Sequence, residues 1–153
     1  MSDAVPTSDD GVVLARLRRF LLATSAFLLA GTVTELVLVG HTEDWKQWIP
    51  FALCGLGLVA VLVALLRRRR RPALLTLRAW AALAALGALY GVYEHVAGNL
   101  ALQREVNPTA TGTEVLMGAL DGGNPLLAPG VLFLAAALAL AATYRHEELK
   151  LAK

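Results

Sequence analysis

Glu35, His41, Glu94 and His95 are the residues of this chain best suited to chemistry. Each lies at the edge of an apolar run, in "TVTELVLVGH" at 32–41 and "YGVYEHVAGN" at 90–99. A carboxylate in low dielectric must share a proton, meet a cation or ligate a metal. Left unpaired inside a membrane span, its charge costs at least ~2–3 kcal/mol. Glu35 follows Arg19 by 16 residues and Glu94 follows Arg78 by 16. At about 1.5 Å per helical residue, the two glutamates are predicted at the same depth. Spacing also assigns them to faces. Ala84, Gly87, Gly91, Glu94 and Gly98 recur at intervals of three and four, as do Ser25, Leu28, Thr32 and Glu35. Small and hydroxyl residues are what membrane helices place where backbones approach closely. The first and third helices are therefore predicted to touch along these seams and to bring the glutamates together.

The local partners are histidines. His95 is about 100° round the helix from Glu94, and His41 follows Glu35 by six residues. Asn99 and Gln103 continue the His95 face, and Glu105 tops the Glu94 seam. A mixed Glu/His set suits Zn, Mn or Fe better than a thiolate metal site. Cys54 is alone in an apolar run, and neither Met1 nor Met117 falls on a seam. The expected ligands of a divalent metal are Glu35, His41, Glu94 and His95, with Asn99 and Glu105 as further polar members of the cluster. No HExxH-type spacing accompanies them. Haem held by His41 and His95 is disfavoured, since one histidine pair is its whole support. A serine hydrolase is disfavoured by position, because Ser25 lies toward the opposite membrane face from both histidines. Three readings stay open here: a metal or proton site, a packing network, and a contact with a partner subunit.

The elements that must hold these residues follow from composition. The chain has 153 residues, 57% of them hydrophobic, with a mean hydropathy of +0.59. Soluble domains sit nearer 45–50% apolar, so the excess needs lipid. Four apolar runs, 20–40, 48–66, 79–98 and 126–144, are each close to the ~20 residues that cross a bilayer. Lipid excludes open strands. The expected fold is an all-α, four-transmembrane-helix antiparallel bundle: a flexible tail at 1–15, one membrane domain at 16–153, and an extended outer segment at 99–124. The first run is too long for a signal sequence and lacks a cleavage site, so it is expected to be retained.

Twelve of the fourteen Lys and Arg residues fall on one side of this arrangement; Lys46 and Arg104 fall on the other. The positive-inside rule makes that side cytoplasmic, with both termini and the arginine run Arg67–Arg71 inside. The run is read as a topology signal that contacts anionic lipid headgroups, not nucleic acid. Trp45 and Trp48 are expected in the outer aromatic belt, and Trp80 and Tyr144 in the inner one. Beyond the third span, Asn107–Pro108 should stop the helix, and Thr111–Glu114 should open a short one as a capping box. A faint repeat relates Arg19…Glu35…Pro50 to Arg78…Glu94…Pro125, as in two like-oriented hairpins.

The Ala/Leu/Arg-rich usage fits a GC-rich bacterium, placing the protein as a multi-pass component of the cytoplasmic (inner) membrane. The outer loops carry more acidic than basic residues, which favours cations over anions. The function expected is binding of a divalent cation or handling of protons. The alternatives are an accessory subunit of a larger membrane complex or homo-oligomer, and a metal-dependent membrane enzyme.

Overall fold

The computed structural model describes residues 8–67, 70–122 and 126–149. The described residues are helical and contain no strand. They form α1 (Ser8–Leu38), α2 (Trp48–Leu66), α3 (Arg71–Val106), α4 (Gly112–Leu120) and α5 (Leu127–Ala142), with 3-10 turns at Trp45–Gln47 and Glu147–Leu149. α1, α2 and α3 are long and apolar enough to cross a membrane, and α5 is a shorter apolar helix. This is the build of a helical membrane protein. Large apolar side chains such as Phe27, Leu56, Leu86 and Leu127 point outward from the bundle. Alanines such as Ala81, Ala84, Ala135 and Ala139 are fully buried within it. In water the pattern would be inverted; in lipid it lets backbones approach while bulky chains face the tails.

Local chemistry explains the helix ends. Pro72 occupies the first turn of α3, where its missing amide has no intrahelical partner to lose. α1 closes in a Schellman turn: Gly40 takes φ +65°. The Gly40 amide bonds the Val37 carbonyl at 3.2 Å, and the His41 amide bonds that of Leu36 at 3.0 Å. α3 runs to Val106 and stops at Asn107, as the following proline predicts. α4 opens with the expected capping box. The Glu114 carboxylate accepts from the Thr111 amide at 2.8 Å, and the Glu114 amide donates to the Thr111 hydroxyl at 3.4 Å. At the other end of the bundle, Arg18 donates to the carbonyls of Tyr144 and Arg145, at 3.1 and 3.4 Å, just past the end of α5.

The helices α1, α2, α3 and α5 close into a ring in that order, each packed on its two neighbours. α1 and α3 lie on a diagonal and share no contact among the described residues. The predicted seam between them is therefore overturned. The small residues make room for flanking helices instead. A Cβ on Gly87 would overlap Leu53 of α2, and one on Gly91 would come within 3.2 Å of the Pro129 ring in α5. On α1, the buried Ser25 hydroxyl donates to the Ala135 carbonyl of α5 at 2.9 Å. Helical spacing identified the close-packing faces but not the helices that meet them.

Two further expectations change. Residues 8–15, assigned to a flexible tail, are the first turns of α1, whose N-terminus carries Asp9 and Asp10 where the helix dipole favours them; residues 1–7 lie outside the described residues. Trp80, assigned to an aromatic belt, is buried, and its indole N–H donates to the Leu53 carbonyl at 2.9 Å. Gly57 gives its ring a place to lie, since a Cβ there would overlap it. Trp45, Trp48 and Tyr144 are exposed, as belt residues are.

Candidate functional site

At the end of the bundle away from Arg67, Arg70 and Arg71, the helices α1, α2, α3 and α5 part around a cavity of about 570 Å³. Its floor is formed by Thr32, Leu53, Ala88 and Leu132, one from each helix. Glu35, His41, Glu94 and His95 all line it. The four residues singled out by type and position thus surround one space, although the helices carrying Glu35 and Glu94 do not touch.

Each side chain has a distinct situation. Glu35 is half-buried one turn above Thr32, and among the described residues its carboxylate has neither a hydrogen bond nor an ion pair. Glu94 is engaged: Lys46, from the 3-10 turn before α2, approaches its two oxygens at 3.1 and 3.3 Å. Tyr90, one turn below on the same face of α3, also lines the cavity. The Schellman turn delivers His41 to the cavity, where its ring lies parallel to that of His95, with centroids 6.3 Å apart and planes 7° apart. His95 Nδ1 is buried without a hydrogen-bond partner. A buried polar atom left in this way forfeits about 1–3 kcal/mol.

Asn99 and Glu105 are not part of this space. Asn99 is buried, and its amide donates to the Ala119 carbonyl at 2.9 Å; Gln103 donates to that of Gly118 at 3.3 Å. Both carbonyls belong to the last turn of α4, which has no intrahelical donors for them. The face that continues upward from His95 therefore caps α4 and holds it against the extension of α3. Gly118 and Gly122 leave room for the two amides, because a Cβ at either would crowd them. Glu105 is exposed and does not line the cavity.

Lys46 was missed by sequence reasoning as a partner of Glu94. Tyr90 stands four residues before Glu94, a spacing that puts them on one helix face. Lys46 is one of two basic residues on the acidic side of the chain, but its choice of Glu94 depends on the ring order. Among the described residues, no three His, Cys, Asp or Glu side chains are grouped closely enough to hold a metal ion.

The cavity also clarifies the repeat. Thr32, Glu35 and Leu36 of α1 and Gly91, Glu94 and His95 of α3 line it at a constant offset of 59 residues. Ile49, Pro50 and Leu53 of α2 and Ala128, Pro129 and Leu132 of α5 line it at a constant offset of 79. The partner of Pro50 is thus Pro129; Pro125, which the sequence spacing had suggested, lies outside the described residues. The ring order is the one that two hairpins around a central axis would produce, with α1 opposite α3 and α2 opposite α5.

Compared with protein-family models, curated proteins and solved structures, the chain matches none of them. Its own geometry is what bears on its chemistry. A free carboxylate and two imidazoles at the mouth of an apolar cavity can attract a cation, accept a proton, or do both in turn.

Proposed function

We propose that this protein is a four-span bundle of a bacterial cytoplasmic membrane whose outward-facing cavity binds cations or handles protons through Glu35, His41 and His95. The single observation that carries the reading is the carboxylate of Glu35 beside the cavity, which has no partner among the described residues. An ionisable group without a partner within a span is costly unless its charge is used. The orientation is supported by the basic residues: Arg16, Arg18, Arg19, Arg67, Arg70, Arg71 and Arg78 precede or follow the spans at the end opposite the cavity. Arg67, Arg70 and Arg71 would there meet anionic headgroups. α5 is about 24 Å long at 1.5 Å per residue, somewhat short of the ~30 Å of hydrocarbon. Leu126 and Tyr144 at its ends extend the crossing.

A bound Zn, Mn or Fe ion remains one form of this proposal. With no group of three His, Cys, Asp or Glu side chains able to hold a metal among the described residues, such an ion would complete its shell with water. A second reading, a subunit that docks to a larger membrane complex, is supported by the exposed Leu116, Met117 and Leu120 of α4.

The test is a set of thermal melts of the detergent-purified full chain and of Glu35→Gln, with and without Zn²⁺, Mn²⁺, Fe²⁺ and organic ammonium ions. A cation that stabilises the wild type should leave Glu35→Gln unmoved. If none shifts the wild-type melt, and Glu35→Gln melts at the same temperature or higher, the carboxylate is not a cation site.

A further inference from the structure

We infer that the cavity's occupant is a small monovalent amine with a compact apolar body, of the arylalkylammonium class. The inference rests on the cation-site reading above and narrows it. Four observations lead there independently. First, the space is about 570 Å³, within the range of sites that enclose small organic molecules and far larger than a metal ion needs. Second, its floor and much of its wall are hydrocarbon, including Leu36, Ile49, Leu53 and Leu132. These surfaces reward an apolar body and offer nothing to the hydration shell of a hard ion. Third, the charge in the cavity wall is that of one carboxylate. Glu35 and Glu94 occupy equivalent positions on opposite helices, but Lys46 neutralises Glu94, so a ligand carrying one positive charge matches what remains. Asp44 adds a carboxylate only at the exposed rim, where water screens it. Fourth, two imidazole rings, those of His41 and His95, line the cavity, and aromatic neighbours favour a ligand with a ring of its own.

The experiment is isothermal titration of the full chain in detergent with phenethylammonium, with its neutral analogue 2-phenylethanol, and with Zn²⁺ and Mn²⁺. The wild type should bind phenethylammonium saturably and at least tenfold more tightly than the neutral alcohol. Glu35→Gln should remove that preference. Ala128→Phe, which adds bulk to the cavity lining from α5, should lower amine affinity at least tenfold while the helical circular dichroism is kept. Equal binding of amine and alcohol, or amine binding indifferent to both substitutions, would overturn the inference. Binding of Zn²⁺ or Mn²⁺ that depends on Glu35, without amine binding, would also overturn it while leaving the cation-site reading in place. If no cation of any kind binds, both fail.

Discussion

Lys46 shows how much one side chain can change the chemistry of its surroundings. Without it, the cavity would hold two unpaired carboxylates at corresponding positions on α1 and α3. With it, one carboxylate is held in an ion pair and the other is left for a ligand. Glu114 shows the opposite use of a carboxylate, in which the partners are local. The Thr111 backbone amide, then the Thr111 hydroxyl, hold its pKa below the ordinary carboxylate value. A depressed folded-state pKa means that the cap stabilises α4 fully above the unfolded pKa, about 4.3, and is lost as pH falls through the folded value. Hydrogen-exchange protection factors of Val115–Leu120 should therefore drop on acidification from about pH 5 toward pH 3. In Glu114→Gln that drop should flatten; an unchanged pH profile would mean that another group controls the end of the helix.

The helices of this protein carry their packing instructions as glycines and alanines, and not all glycines are equivalent. On α2, Gly57 and Gly55 are two residues apart and face opposite environments. A Cβ at Gly57 would overlap the buried Trp80 ring, which also bonds the Leu53 carbonyl; one at Gly55 meets nothing within 4 Å. Gly57→Leu should separate α2 from α3 and cost about 1–3 kcal/mol by overpacking, while Gly55→Leu should be nearly neutral. Melts of both variants in one detergent measure the difference, and equal melting temperatures would remove Trp80 and Gly57 from the α2–α3 contact. The same logic explains why α4 stays close to α3. Asn99 and Gln103 supply donors for its last carbonyls, and Gly118 and Gly122 admit the amides.

For the whole molecule, the ring order makes the cavity possible. Because α1 and α3 stand apart, the space between them is closed by α2 and α5, whose prolines, Pro50 and Pro129, both line it. The proposed orientation opens that space to the outside and keeps the arginines inside. It predicts that a cysteine placed at Thr109, in the exposed turn between α3 and α4, reacts with an impermeant maleimide in intact cells, while one placed at Glu147 does not. The native Cys54 is fully buried and should not obscure the signal. Labelling at Glu147 alone would reverse the orientation.

Much of this architecture is legible in the residues as written. Long apolar runs can be only helices in lipid, because every backbone amide must be bonded within its own segment. α2 therefore occupies the very residues expected, Trp48–Leu66. Local caps are equally readable, since Asn107–Pro108 and Thr111–Glu114 act through neighbours a few residues away. The association of Glu35, His41, Glu94 and His95 with one end followed from depth, which is a count of residues along a helix. What residue counts do not contain is the angular order of helices around the bundle. That order is a balance of many weak contacts between segments far apart in the chain. It sent the small seams of α1 and α3 to different partners, buried Trp80 against Gly57, and turned Asn99 toward α4. It also paired Lys46 with Glu94 and left Glu35 alone at the cavity.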